Sequence, residues 1–333
     1  MRIAALLPHV EVFGGVRRYL ELGNEFVRRG HQFVLFHPRG EEPGWLAFRG
    51  GTRPWEALDN EAFDVGLCSE YSILPFFNRL QARTKYFYFV LAGHKQEREA
   101  ARGPYRFLAN SQGLCLRLRR KYGLDCFQAA GGVNPEIFHP LEEPEARAEG
   151  EIRVLCYGRL VKKRKGTQRV IKALDRLAGR VPGLKLVLFD TPVGREKRDS
   201  RLLLKTRLPH EFHLNLPQDR MAWLFSRADI FISAERRAGW ANTAAEAMAC
   251  RVAVVCTASG SRDFALPGQT ALVVRWPLAF LLRRAVARLI DDPPLRERLA
   301  EAGYRKIQEF TWSNLAGRLE QHFLSNLEAS NKA

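Results

Sequence analysis

Two short stretches in the second half of the chain carry side chains suited to anion chemistry. In Gly158-Arg159-Leu160-Val161-Lys162-Lys163-Arg164-Lys165-Gly166, cations crowd a single turn. Charges this close repel one another unless an anion neutralises them, so the turn points to a phosphate or another polyanion. The GxxxxGK[ST] order of a P-loop is absent. The second stretch, residues 234–257, reads AERRAGWANTAAEAMACRVAVVCT. Gly239 and Trp240 make a loop, and Asn242 or Thr243 can cap the helix through Glu246 that follows. A helix N-terminus after a glycine turn offers backbone N–H groups to an anion. Glu246 lies one turn in, where a carboxylate suits hydroxyl donors such as a ribose. Taken alone, the stretch is more simply an ordinary ligand-free βαβ unit, since such loops are common in α/β sheets.

Side chains of this kind work only if strands bring them to one edge of a sheet. Residues 2–8 read as a strand running into Val12-Phe13-Gly14-Gly15-Val16. A helix to about residue 29 and a strand at 32–36 follow, with Tyr19, Leu20, Gly23, Phe26 and Val27 on one helical face. Strand, glycine turn, helix, strand is a βαβ unit, which predicts a parallel sheet. At Gly14 and Gly15 a phosphate or sugar could approach the backbone, or the turn could be plain. Residues 38–62 are rich in Gly, Pro and Trp and read as irregular. Strands at 63–69 and 85–91 flank a helix at 73–81, and the second strand delivers Ala92-Gly93-His94-Lys95. A His at the carboxyl end of a parallel strand stands at the usual ligand crevice of an α/β sheet. A strand at 106–109 leads to a helix at 114–122, whose Arg117, Arg119, Arg120 and Lys121 read as a solvated face.

Gly131-Gly132-Val133-Asn134-Pro135 breaks the pattern, and the acidic, turn-rich stretch 141–150 predicts a domain boundary. The expected organisation is therefore a first domain over 1–145, a second over 150–310 and a C-terminal helix over 311–333. The apolar stripe of that helix, Leu315, Leu319, Phe323 and Leu327, is expected to pack back toward the first domain. In the second domain strands are predicted near 152–157, 184–189, 211–214, 229–233, 252–256 and 270–274. Helices fall near 167–178, 219–226, 278–290 and 294–310. The cationic segment 195–207 takes no assignment.

At 333 residues, with 46% hydrophobic and 27% charged residues, the chain has a globular composition and room for two cores. No apolar run reaches the ~18 residues of a membrane span. MRIAALLPHV lacks a cleavage site and reads as a buried strand, not a signal peptide. The six cysteines show no CxxC spacing, which predicts reduced thiols in a cytoplasmic protein. Of the net +17, residues 1–147 supply +3 and residues 148–333 supply +14. So basic a second half suits an anionic ligand, an anionic membrane surface or nucleic acid, and general surface charge also produces it.

Gly158-Arg159 with Lys165-Gly166, the Glu246-Ala247-Met248-Ala249 helix behind a glycine–aromatic loop, and GVNPEIFHP ahead of a boundary together resemble the retaining glycosyltransferases of family 4, the group 1 glycosyl transferases. The resemblance runs from the Gly-Gly turn to the Trp312 helix. It implies an α/β chain with the GT-B fold, two Rossmann-like domains with parallel sheets facing across a cleft. Arg159 and Lys165 would hold the diphosphate of a nucleotide-sugar through charge-assisted bonds. Glu246 would take the ribose hydroxyls, and N–H groups near Gly239, Trp240, Asn242 and Thr243 the distal phosphate. Gly15 would admit the diphosphate and sugar, and His94 would stand near the donor sugar. Arg159, Lys165 and His94 are thus the expected catalytic residues.

The resemblance also implies retention of configuration. No DxD stands between strands, and two cations with a helix dipole can replace Mg²⁺, so neither cofactor nor metal is expected. The family's usual two glutamates have seven residues between them. Counting back from Glu246 places the first at Ala238, with Glu235 as a substitute three residues earlier. A second departure is Phe189-Asp190-Thr191-Pro192, where a glycine-rich turn is usual. The expected partners are a nucleoside-diphosphate sugar, a glycan or lipid-linked acceptor of the cell envelope, and anionic lipid at the inner face of the membrane. The competing readings are a basic nucleic-acid-binding protein and a GT-B-fold nucleotide-sugar epimerase. A nucleic-acid binder would interleave aromatics with its cations, and 162–165 has none.

Overall fold

The computed structural model describes residues 1–141, 148–192 and 199–332, the last three through their backbone alone. It divides into two compact units, Met1–Gly132 with Phe310–Ala333, and Val133–Glu309. The division falls at 132/133, not within the acidic stretch at 141–150, of which residues 142–147 lie outside the described residues. The segment after Val133 is already tied to the second unit. Phe138 packs edge-on against Phe225 at 6.0 Å, and the Leu141 N–H donates to Ser226 Oγ at 3.2 Å. Residues 311–333 belong to the first unit and do not form a segment of their own.

In the first unit the order is β1 (Arg2–Leu6), α1 (Gly14–Arg28), β2 (Gln32–His37), β3 (Gly51–Pro54), β4 (Ala62–Cys68), α2 (Leu74–Arg79), β5 (Gln81–Phe89), α3 (Glu97–Arg102), β6 (Arg106–Ala109), α4 (Gln112–Tyr122) and β7 (Cys126–Gln128). Every strand pair is parallel, in the order β3-β2-β1-β4-β5-β6-β7. β1 shows why both faces must be covered. Its side chains alternate, with Ile3 and Ala5 in one apolar cluster and Ala4 and Leu6 in another. The stretch expected to be irregular contains β3, an edge strand that pairs Val34 to His37 with Gly51 to Pro54. Its four residues show no apolar alternation, so pairing to β2 alone makes them a strand.

The final helix of the chain, Trp312–Lys332, completes this unit by packing on α1 and β5. Leu315, Leu319 and Phe323 are fully buried there, and the Phe323 ring stacks on Phe26. Glu320 fastens the helix by accepting from Arg29 at 3.0 Å and contacting His31 at 2.7 Å. Among the described residues no helix is long and apolar enough to cross a membrane.

The second unit contains β8 (Ile152–Tyr157), α5 (Thr167–Asp175), β9 (Leu184–Asp190), β10 (His210–Leu214), α6 (Met221–Ser226), β11 (Ile230–Ser233), α7 (Asn242–Ala249), β12 (Ala253–Thr257), β13 (Leu272–Val274), α8 (Ala279–Asp291) and α9 (Pro293–Ile307). With the chain-terminal helix counted as α10, the sequence order is complete. The sheet is parallel, in the order β10-β9-β8-β11-β12-β13. Val154, Leu186, Ile230 and Val255 fill its core from the strands, and Leu174, Leu282 and Leu299 from the helices. Part of the cationic segment predicted at 195–207 lies at 195–198, outside the described residues. The rest includes the short turn Ser200–Leu203, capped by the Asp199 carboxylate on the Arg201 N–H.

In both sheets the strand order reverses beside the first strand of the unit. β1 lies between β2 and β4, and β8 between β9 and β11. Chains leaving adjacent strands toward opposite faces open a crevice at the strands' carboxyl ends, the usual ligand position of such sheets. In the second unit, the loops after β8 and β11 flank that point. They are the basic turn and the start of the 234–257 stretch.

Candidate functional site

These two loops are joined through their backbones. The Arg236 N–H donates to the Arg164 carbonyl at 2.8 Å. Gly166 has φ +74°, and a Cβ there would meet the Ala234 carbonyl oxygen at 2.3 Å. Only glycine adopts this left-handed conformation at so close an approach. Residues 163–165 form a single 3-10 turn that leads into α5. The cations are therefore spaced around a tight turn at the sheet's carboxyl edge.

Arg159 and Lys165 are held by identifiable partners. The Arg159 guanidinium, buried at 4% exposure, donates to the Thr191 carbonyl at 2.7 Å and pairs with the Asp190 carboxylate at 3.3 Å. Asp190 also accepts from Ser200 Oγ at 2.7 Å. The Phe189-Asp190-Thr191-Pro192 sequence, unusual for the family it resembles, thus supplies the groups that orient Arg159. Lys165 Nζ donates to Glu235 Oε1 at 2.5 Å and lies 5.3 Å over the Tyr157 ring. Burial, and then the neighbouring Asp190 charge, raise the Tyr157 phenol above its ordinary range, so it remains a neutral hydroxyl. Lys163, Arg164, Arg236 and Arg237 make no ion pair among the described residues.

The first turn of α7 closes this corner. Tyr157, Lys165, Glu235 and Thr243 line one small pocket between β8, β11 and α7. The helix cap differs from the sequence expectation. Ala241 occupies the cap position without a side-chain hydrogen bond, and Asn242 and Thr243 stand in the first turn. Their N–H groups have no carbonyl one turn behind them, so the helix end retains donors for an anion. The loop before it is held from behind. The Ala241 N–H donates to the Gly260 carbonyl at 2.8 Å, and the Trp240 ring packs 4.8 Å from Phe264. Gly239 is buried in the same loop, and Arg237 stands at φ +64°, a conformation uncommon for a residue with a Cβ.

Glu246 is buried at 8% exposure, one turn into α7. Burial and then the Glu246 charge push the Cys250 thiol up. At Ala238, where the resemblance calls for a glutamate, the backbone N–H donates to Ser259 Oγ at 2.9 Å. A Cβ on Gly260 would meet the Ala238 methyl at 2.8 Å, so the position is closely packed. The acidic side chain of this loop is Glu235, and it is engaged with Lys165.

In the first unit, Gly15 lies in the first turn of α1, whose cap residue Phe13 makes no side-chain hydrogen bond. His94 follows β5, and its ring stacks on Tyr71 at 4.2 Å, nearly parallel. His94 Nδ1 accepts from the Gln96 N–H at 3.2 Å, which assigns the ring proton of the neutral form to Nε2. Beneath this loop is a residue the sequence did not single out. The buried Glu97 carboxylate accepts from the Gly93 N–H at 2.7 Å, Arg117 at 2.7 Å, Tyr122 at 3.0 Å and Lys121 at 3.3 Å. Arg119, Arg120 and Lys121 are exposed, as the solvated-face reading predicts, and only the half-buried Arg117, with Lys121 reaching in from the surface, pairs with this protein carboxylate. The i, i+4 spacing of Arg117 and Lys121, with Tyr122, was the available signal; the missing piece was which carboxylate would face them. Gly15 and His94 stand in the first unit, and Arg159, Lys165, Glu235 and Thr243 gather in the second.

A family model described as glycosyl transferases group 1 matches residues 139–306, half of the chain, and the chain belongs to that family. A D-inositol 3-phosphate glycosyltransferase of Arthrobacter sp. (strain FB24) is 27% identical over 64% of this chain and 54% of its own length. A lipopolysaccharide core biosynthesis mannosyltransferase, LpcC of Rhizobium leguminosarum bv. viciae, is 28% identical over 53% of each. The matched part thus spans about half the length of these curated relatives. HepE of Anabaena, solved in complex with UDP and glucose, shares the fold with a TM-score of 0.73 at 14% identity, over 98% of this chain and 100% of its own. The two parallel Rossmann-like sheets are those of a GT-B protein, as the motifs imply.

Proposed function

We propose that this chain transfers a sugar from a nucleoside-diphosphate sugar to a glycan or lipid-linked acceptor of the cell envelope, with retention and without a metal ion. The carrying observation is the corner at the switch point of the second sheet, where Lys165, Glu235 and the start of α7 meet in one pocket beside the oriented guanidinium of Arg159. HepE of Anabaena, solved with UDP and glucose, supports the donor class. The named roles of LpcC and of the D-inositol 3-phosphate glycosyltransferase support a glycan or glycolipid acceptor.

As the bond between the sugar and the diphosphate breaks, negative charge gathers on the leaving phosphate. Arg159, Lys165 and the α7 N-terminus stabilise that charge more in the transition state than in the ground state. In retaining transfer the acceptor attacks from the face the diphosphate leaves, and a donor phosphate oxygen takes the acceptor proton. Glu246 would take the ribose hydroxyls. His94 would face the sugar, with its Nε2 hydrogen as donor. Glu235 would both hold Lys165 and meet the donor in the place of the glutamate absent at Ala238.

A thermal-shift panel of nucleoside diphosphates and their sugars, run on the wild type and Lys165→Ala with and without EDTA, tests this reading. At least one nucleotide should raise the wild-type Tm, the shift should shrink in the variant, and EDTA should change neither. A wild type that no nucleotide stabilises would overturn the transferase reading. Equal shifts in both proteins would remove Lys165 from the diphosphate site.

A further inference from the structure

Three large apolar side chains stand in water within five residues at the start of α8. Trp276 is 58% exposed, Leu278 45% and Phe280 49%. No other stretch of the described residues gathers exposed apolar groups so closely. The segment is anchored, because the Leu278 N–H donates to the Trp276 carbonyl at 2.8 Å, and Leu282, Val286 and Leu289 are fully buried on the inner face of the helix. Its outer face is cationic as far as Arg288, and the one acid of the helix, Asp291 at its last residue, pairs with Arg180. Phe280, Arg284 and Arg288 follow one another at helical spacing, with Arg283 beside them and all of them exposed. The Arg275 guanidinium lies 5.9 Å over the Trp276 ring. Residues 264–290 contain no Asp or Glu, and none of these four arginines makes an ion pair among the described residues.

A protein surface ordinarily intersperses charges of both signs and scatters its exposed apolar groups singly. An apolar tip beside an unneutralised cationic face fits a boundary that is anionic on one side and oily on the other. We propose that residues 275–288 form a docking surface for an anionic lipid bilayer. Trp276, Leu278 and Phe280 enter the region between headgroups and acyl chains, and Arg275, Arg283, Arg284 and Arg288 meet the lipid phosphates. A helix with its opposite face in the protein core lies along such a surface and does not span it. No nucleotide or sugar need be bound, so this docking stands or falls apart from the transfer reaction.

The test is flotation of the full chain with vesicles of phosphatidylcholine alone and of phosphatidylcholine with phosphatidylglycerol. The protein should float with the anionic vesicles only, and less at high salt. A basic residue near an anionic surface contributes about fivefold to partition, so Arg283→Ala/Arg284→Ala should bind roughly twenty-five-fold more weakly. Trp276→Ser/Phe280→Ser should lose binding as well, and Leu278→Asn provides a milder single change at the same tip. All these side chains are exposed, and an unchanged Tm verifies the fold of each variant. A wild type that stays unbound, or variants that float like the wild type, would overturn the docking surface. So would substitutions that abolish duplex-DNA binding or self-association and leave flotation intact.

Discussion

Lys165 and Glu235 are close enough that neither can be understood alone. The carboxylate satisfies the ammonium at 2.5 Å. On the proposed reading a diphosphate displaces or shares that partner. Lys165→Ala removes a charge-assisted bond and leaves Glu235 facing the phosphate, so kcat/KM should fall by about 10²-fold, equivalent to roughly 3 kcal/mol. Glu235→Gln frees Lys165 without changing side-chain shape. Nucleoside diphosphate should then bind several-fold more tightly by calorimetry, a gain of roughly 1 kcal/mol, while turnover with the nucleotide-sugar falls. Unchanged affinity would mean that Glu235 does not restrain the lysine. Gly166→Ala tests the turn itself. Its left-handed φ and the 2.3 Å approach to the Ala234 carbonyl make an added methyl cost more than about 2 kcal/mol, measured as a lowered Tm.

Among the elements, α3, α4 and the His94 loop form one unit around Glu97. Burial alone would raise this carboxyl, but hydrogen bonds from Arg117, the Gly93 N–H and Tyr122 outweigh it and hold the group below the usual carboxylate range. A carboxyl depressed in the folded state adds stability above its unfolded value and loses that contribution as pH falls through the folded one. Glu320, held down by His31 and Arg29 against the opposing effect of burial, acts in the same sense on α10. The urea midpoint should therefore fall as the solution is acidified below about pH 4, the unfolded Glu range. Glu97→Gln should flatten that dependence. An identical pH profile in the variant would dismiss Glu97 as its source. Part of this arrangement was legible in the chain. The glycine and histidine after β5 stood at a strand end, as ligand residues do, and the cations of α4 were evident. Their counter-charge was not, because helical periodicity shows which residues share a face but not what that face meets.

On the scale of the whole molecule, the first and last stretches of the chain fold as one unit, and residues 133–309 as another. Phe323 ties the chain terminus to that first unit, fully buried against Phe26 and 4.7 Å from the Tyr86 ring. Phe323→Ala should cost about 3–5 kcal/mol and lower the transition of the first unit. The nucleotide-induced stabilisation of the second unit should survive, since binding to a folded form raises only the stability of that form. Calorimetry with and without nucleoside diphosphate would separate the two transitions. Loss of nucleotide stabilisation in this variant would instead show that the ligand needs the first unit intact.

The amino-acid sequence determined what is local. Alternating apolar runs, glycine turns and helix formers specified parallel βαβ units. The cations of residues 158–166 pointed to an anion site, and the order of motifs matched the glycosyl transferases group 1 family. Tertiary structure alone decided which charges neutralise one another. Lys165 meets Glu235 because β8 lies beside β11 in the sheet, an adjacency set by strand order between residues 70 positions apart. The same holds for Asp190 under Arg159 and for Glu97 under the His94 loop. It also decided that residues 133–141 belong with the second unit, through the burial of Phe138 on Phe225. A pattern along the chain records the face a side chain occupies, whereas its partner depends on how whole elements pack.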